Sequence, residues 1–306
     1  VSIETLVELA GSAAHEHAPF GARTTYRVGG NARLLIEVEN LDALARYSRA
    51  LRECALPIVI LGNGSNLLVA DDEFAGVVLV LGTGFGALQW HDEATVVKVH
   101  AGACLDLPVV ARRLSDDGVR GFEWAVGVPG TLGGAAVMNA GGHGSDMAHS
   151  VVSLRAWSLH DDQLHTWTLE DLRYGYRQSA LSSFDIVIDV DLDLVRGSRD
   201  DAQAMLRDIV RWRREHQPGG ANAGSVFRNA HHAAAGALIE AAGLKGHRHG
   251  SAYVSEKHAN FIQVDAGGRS SDVVALMKEI REAVRSSSGV TLVSELRTVG
   301  FEGQWP

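Results

Sequence analysis

Two cysteines, Cys54 and Cys104, are all that a chain of 306 residues contains. Two thiols cannot build a disulfide framework, and a reducing compartment is the simpler expectation. Each is expected to fill core space as a small apolar side chain. No apolar run reaches the roughly 20 residues that cross a bilayer, which excludes a membrane-spanning helix. Residues 1–17, VSIETLVELAGSAAHEH, carry Glu4 and Glu8 and lack the basic start and apolar centre of a secretory signal. Their spacing predicts one short amphipathic helix, and the expected location is cytoplasmic. Positive charge is also short: 28 Lys and Arg stand against 37 Asp and Glu, a formal net charge of −9. Nucleic-acid surfaces need clustered cations, so nucleic acid is not expected as the main partner, whereas a local basic pocket for a small anion stays open.

Several catalytic patterns are missing too. There is no G-x-S-x-G nucleophile elbow and no activated-cysteine context. A Rossmann dinucleotide site would place G-x-G-x-x-G directly after the first strand with an acid about 20 residues on, and no glycine cluster fits. Fourteen histidines include His247-Arg248-His249, but no third ligand at a useful spacing completes a metal site, so no metal is expected. No period of 20–50 residues repeats.

What is present reads as α+β. Hydrophobic residues make up 46% of the chain, enough to build cores for two or three domains. Ala32–Val38 predicts a strand. Leu41–Cys54 has apolar residues at helical spacing, with Asn40 able to cap its start. Pro57–Leu61 predicts a short strand running into Gly62-Asn63-Gly64-Ser65-Asn66. Strands at 77–81 and 95–100 precede a helix over 106–117 that Gly118 stops. Strands at 151–159 and 163–168 are expected to pair, and 184–194 alternates as a further strand. Gly197–Asp201 is a polar break and the expected domain boundary. Beyond it come helices over 202–215, 233–242 and 270–286, a strand over 261–265 and a closing strand over 290–299.

Glycine is concentrated in one place. Seven glycines fall between Gly127 and Gly144, in GVPGTLGGAAVMNAGGHG. Such density serves either tight turning or close approach of backbone N–H groups to an anion, and these residues alone do not decide between the two. Gly62–Asn66, with its polar donors after a strand, is a second candidate anion loop. Arg177, in Tyr176-Arg177-Gln178-Ser179, is either a solvated charge or a functional cation. Ser225 is either a turn hydroxyl or a reactive one. Glu295 and Arg297 point the same way if the closing strand alternates, either to solvent or into a site.

Nine strings, taken in order, carry a resemblance that covers about residues 24–300. They are Thr25–Gly30 (TYRVGG), Leu61–Val69 (LGNGSNLLV), Gly127–Ala135 (GVPGTLGGA), Met138–Gly141 (MNAG), Tyr176–Ser179 (YRQS), Ala223–Asn229 (AGSVFRN), Ala242–Gly246 (AGLKG), Ser255–Phe261 (SEKHANF) and Ser294–Arg297 (SELR). In that order they resemble the UDP-N-acetylenolpyruvoylglucosamine reductases, also called UDP-N-acetylmuramate dehydrogenases. The resemblance implies a vanillyl-alcohol-oxidase-type (PCMH-type) FAD-binding fold. Residues 1–82 and 83–197 would form two FAD-binding lobes, and 198–306 an α+β substrate-binding domain. The short connection from Ser179 to Gly224 resembles the subgroup without an extra substrate-covering loop.

The activity implied is NADPH-dependent reduction of an enolpyruvyl UDP-sugar to UDP-N-acetylmuramate through non-covalent FAD, in peptidoglycan precursor synthesis. Gly62, Asn63, Gly64, Ser65 and Asn66 would hold the flavin cofactor, with Gly127, Val128, Pro129, Gly130, Thr131, Gly133, Gly134 and Ala135. Arg177 and Glu295 would bind and polarise the substrate carboxylate, Ser225 would donate a proton, and Tyr176, Asn229 and Arg297 would contact the sugar nucleotide. Arg228, Ala230, Asp265 and His216 depart from the family's usual residues and bear on affinity rather than on the three catalytic positions. An FAD oxidase acting on a small alcohol or lactone, and a non-catalytic binding relative, are the alternatives. The sequence leaves the oligomeric state open, and a monomer is compatible with it.

Overall fold

The computed structural model describes residues 2–230 and 232–301. Contacts divide the chain into two compact units: one holds the residues up to Glu16, Leu34–Gly62 and Gly76–Arg213, the other His17–Arg33, Asn63–Ala75 and everything from Arg214 onward. The division expected from sequence, 1–82, 83–197 and 198–306, is contiguous. The units are not, because residues 17–33 and 63–75 pack with the C-terminal third.

In the first unit, the side chain of Asn40 accepts from the Ala43 N–H at 2.9 Å and starts the helix Leu41–Glu53. Ala43, Leu44, Tyr47, Ala50 and Leu51 recur at helical spacing and are buried. They pack with Leu34, Ile36, Val38, Val77 and Leu79, from strands of a sheet in the order Ala14–Pro19, Asn31–Val38, Phe74–Leu81, Ile58–Ile60. The helix predicted over residues 1–17 is shorter than expected. It spans Ile3–Ala10, stops where Gly11 takes φ 54°, and gives way after a single 3-10 turn to the strand Ala14–Pro19.

A second core of the same unit lies under an antiparallel sheet ordered Gln163–Thr168, Val151–Ser158, Asp185–Arg196, Val96–Gly102, Leu88–Glu93. Strand alternation drives it: Val97, Val99 and Ala101 are buried, while Lys98 and His100 reach Asp193 and Asp191 at 2.9 and 2.8 Å. Helix Leu107–Asp116 and the short helix Leu132–Met138 fill the inner face. The polar break at Gly197–Asp201 is where strand gives way to helix. Helix Arg199–His216 begins inside it, with the Ser198 hydroxyl accepting from the Asp201 N–H at 3.2 Å.

The second unit is built on helix Ser270–Ser288, which buries Val273, Val274, Met277, Ile280 and Val284. These share a core with Ala252, Val254, Ile262 and Val264 of a three-stranded sheet, Arg248–His249, Ala252–Val254 and Ile262–Val264, and with Ile239 of helix Ala235–Ala241. The closing strand predicted over 290–299 is corrected: only Arg297–Val299 is a strand, paired parallel with Leu67–Val69. Before it the chain changes partner. Ser294 bridges Phe227, and the Glu295 N–H donates to the Val226 carbonyl at 2.8 Å, so the alternation of a single ladder does not apply to Glu295 and Arg297.

Candidate active site

The two glycine-rich loops meet at Gly62 and Thr131. A Cβ at Gly62 would collide with Thr131 Oγ1 and stand 3.2 Å from its Cγ2, so only glycine leaves room. That hydroxyl also caps helix Leu132–Met138, accepting from the Gly134 N–H at 3.4 Å. The helix start offers fewer donors to a ligand than its sequence suggests. The Leu132 N–H donates to Leu105 O, Gly133 to Ala103 O and Ala135 to Thr131 O, at 2.8–2.9 Å. Among the described residues, no backbone acceptor within the first unit meets the N–H groups of Gly130 and Thr131, and none within the second meets those of Gly64 and Ser65. Neither loop carries a carboxylate. Neutral N–H donors on a loop without a carboxylate are, in either unit, of the kind that suits a diphosphate such as that of FAD.

Other glycines of the cluster are structural. Gly127 lets helix Arg199–His216 approach, since a Cβ there would lie 2.9 Å from Arg213 Cδ and 3.0 Å from Ile209 Cγ2. Gly141 and Gly142 pair with Asp146 and Ser145 across a two-residue turn in which His143 and Gly144 take φ 51° and 85°, the positive pair of a type I′ hairpin. His143 is held below the ordinary histidine range by burial and by the Arg213 charge, so the turn stays neutral there.

Arg177 stands in a tight turn. Gly175 and Gln178 exchange N–H···O bonds of 3.1 and 3.3 Å, and Arg177 itself takes φ 56°. A non-glycine residue in that region costs about 1–2 kcal/mol. Its guanidinium lies over the Tyr176 ring at 5.4 Å and donates from Nη2 to the Gly141 carbonyl at 3.3 Å. Tyr176 is 57% exposed. The neighbouring Tyr174 hydroxyl is buried without a hydrogen-bond partner among the described residues, and burial, together with the Asp146 charge, pushes its pKa up and keeps it protonated.

In the second unit the structure brings together Ser225, Glu295, Asn66 and Arg297. Ser225, half-buried, bridges Phe261, and the next residue, Val226, accepts from the Glu295 N–H. Asn66 binds this segment twice: its Nδ2 donates to Glu295 O at 3.1 Å and its carbonyl accepts from the Arg297 N–H at 3.0 Å. Asn229 is engaged at the start of helix Ala235–Ala241, where its Oδ1 accepts from the Ala235 N–H at 3.0 Å. Arg297 is exposed. His247 and His249 both contact the Glu279 carboxylate, at 2.8 and 2.7 Å.

Sequence reasoning missed the residues that hold these segments in place. Asn260 brackets Phe227, accepting from its N–H at 3.0 Å and donating to its carbonyl at 2.8 Å, while its own backbone carbonyl accepts from Val226. The signal was an asparagine inside a motif string, a residue type whose side chain imitates a peptide group.

The fold is α+β as expected and, with the family models that match it, is that of an FAD-dependent oxidoreductase of the PCMH type with a further C-terminal domain. A family model described as an FAD binding domain matches residues 32–166. A second, described as UDP-N-acetylenolpyruvoylglucosamine reductase, C-terminal domain, matches residues 216–299. The chain is 38% identical over 289 residues to the UDP-N-acetylenolpyruvoylglucosamine reductase of Anoxybacillus flavithermus, covering 93% of this chain and 94% of that one. It is 40% identical over 286 residues to the enzyme of that name from Synechococcus elongatus, covering 92% and 93%. The crystal structure of that reductase from Thermus caldophilus superimposes with a TM-score of 0.78 at 31% identity, over 96% of this chain and 98% of that one. The chain belongs to the UDP-N-acetylenolpyruvoylglucosamine reductase family. No helix among the described residues is long and apolar enough to cross a membrane.

Proposed function

We propose that this protein reduces the enolpyruvyl group of a UDP-N-acetylglucosamine enolpyruvate to UDP-N-acetylmuramate with electrons from NADPH, as a cytoplasmic step of peptidoglycan precursor synthesis. The observation that carries the reading is the placement of Glu295 on the segment hydrogen-bonded beside Ser225, within a chain that keeps the family's motif order from end to end. FAD, when bound, supplies the hydride that reaches the terminal enolpyruvyl carbon. Gly62–Asn66 and Gly127–Ala135 hold that cofactor without a covalent link, and the N–H groups of Gly64, Ser65, Gly130 and Thr131 serve its diphosphate.

The remaining chemistry belongs to side chains. As the double bond is reduced, negative charge gathers on the substrate carboxylate and the carbon next to it. Arg177 and Glu295 bind and polarise that carboxylate, a planar guanidinium being suited to two-point binding. Ser225 then gives its hydroxyl proton to the second carbon. A serine is a weak acid, but the enolate-like substrate is a strong base, so the transfer runs downhill. Tyr176, Asn229 and Arg297 contact the sugar nucleotide, Asn229 through the amide nitrogen that its helix-capping bond leaves unused.

Replacing Ser225 by Ala separates the two halves of the reaction. Anaerobic reduction of the bound flavin by NADPH is expected at the wild-type rate. Reoxidation by the enolpyruvyl sugar nucleotide is expected to slow about 10²–10³-fold, as for the loss of one transition-state donor. Stopped-flow absorbance of the flavin reads both, and reoxidation within threefold of wild type would remove Ser225 from the mechanism.

A further inference from the structure

Helix Leu132–Met138 ends at Asn139, a buried residue in the left-handed conformation, φ 41°, ψ 54°. Both polar atoms of its carboxamide are hydrogen-bonded. Nδ2 donates to the Gly175 carbonyl at 3.1 Å and to Asp146 Oδ2 at 3.4 Å, and Oδ1 accepts from the Ala148 N–H at 3.0 Å. The turn Gly175–Gln178 therefore rests on Asn139: the same Gly175 carbonyl that closes the turn with the Gln178 N–H accepts the amide. Asp146 is the strand partner of Gly141, whose carbonyl accepts from the Arg177 guanidinium. One side chain thus ties down both the backbone on which Arg177 stands and the short hairpin that its guanidinium touches. A second tie runs in parallel, from the Ser179 hydroxyl to the Val137 carbonyl at 2.8 Å.

We propose that Asn139 is a positioning residue for Arg177, holding the guanidinium in the geometry that binds the substrate carboxylate. The inference rests on the reading of Arg177 as the carboxylate-binding cation. The left-handed φ of Arg177 is the kind of strain that persists only when its surroundings over-determine it, and Asn139 supplies part of that constraint. A long, flexible side chain whose base is loosened loses its aim, and a misplacement of about 1 Å costs on the order of 10²-fold in rate.

The test uses the flavin-loaded enzyme. Asn139→Gly keeps the left-handed backbone and removes the carboxamide. Asn139→Asp keeps the shape and the acceptor for Ala148 but loses the donors to Gly175 and Asp146. Both are expected to reoxidise ten- to hundredfold more slowly with the enolpyruvyl sugar nucleotide while NADPH reduces their flavin at the wild-type rate. In an Arg177→Ala background the further loss on Asn139→Gly is expected to fall below threefold, because the residue to be positioned is gone. An equal fold-loss in both backgrounds, or parallel loss of both half-reactions with flavin release, would overturn the proposal. Arg177→Ala reoxidised at the wild-type rate would reject the role of Arg177 and the inference with it. Slow Arg177→Ala beside normal Asn139→Gly and Asn139→Asp would reject the inference alone.

Discussion

A methyl group is enough to disturb the meeting of the two glycine-rich loops. Gly62 has no side chain because Thr131 occupies that space, and the Thr131 hydroxyl is at the same time the cap of helix Leu132–Met138. Gly62→Ala is therefore expected to push Thr131 off its cap and destabilise the protein by about 1–3 kcal/mol, the range for overpacking. In a Thr131→Ala background the same change is expected to cost less than half as much, since the colliding oxygen is absent. Urea denaturation of the four proteins measures this, and strict additivity would contradict the contact. At this scale the sequence was legible in residue type and silent on partners. Glycine density marked the loops, but nothing local showed that Gly127 serves a helix neighbour, Arg213 and Ile209, or that Gly141–Gly144 is a hairpin turn. Asn229 was read as a substrate contact, and its side chain also caps a helix six residues on.

Helices and strands followed their local periodicity wherever a core face and a cap were both written nearby. Asn40 before Leu41–Glu53 and Gly118 after Leu107–Asp116 are examples. Helix Ser270–Ser288 shows the opposite case. Its own N-cap residue, Arg269, offers no side-chain cap, and the carboxylate that serves its start is Asp71, 199 residues earlier than Ser270. Asp71 accepts from the Ser270 N–H at 2.8 Å, the Ser270 hydroxyl at 3.0 Å and the Ser271 N–H at 3.1 Å. Partial burial alone would raise its pKa, but the hydrogen bonds from Ser271 and Ser270 outweigh that and hold it below the usual aspartate value. Asp71→Ala is expected to cost about 1–2 kcal/mol at pH 7, the upper part of the capping range. A depressed pKa in the folded state means this contribution is complete above the unfolded value of about 3.9 and is lost as pH falls through the lower folded value. Thermal melts of both proteins should therefore differ by a constant amount from pH 7 to about pH 5 and converge in stronger acid. A difference unchanged down to pH 2 would contradict the assignment. The closing strand was misread for a related reason: Ser294–Arg297 takes its partners from Phe227, Val226 and Asn66, which no periodicity within 290–299 encodes.

For the whole molecule, motif order carried more information than any motif did. Each string alone is compatible with an ordinary turn or surface, whereas nine in sequence point to one family. The relatives match more than nine-tenths of the chain, so the agreement is not confined to the flavin-binding half. What the order could not convey is that the compact units are discontinuous, with residues 17–33 and 63–75 packed with the C-terminal third. Asn66 accordingly belongs to the glycine-rich loop 62–66 by sequence and to the Glu295 segment by hydrogen bonding. We propose that this chain passes electrons from NADPH through FAD to an enolpyruvyl sugar nucleotide. The most direct test is an anaerobic titration of the purified, FAD-loaded protein followed at the visible absorbance band of the oxidised flavin. The account predicts that NADPH bleaches the yellow colour and that adding UDP-N-acetylglucosamine enolpyruvate restores it in stoichiometric amount without oxygen. Protein that takes up no FAD, or reduced flavin that recolours only when oxygen is admitted, would contradict it.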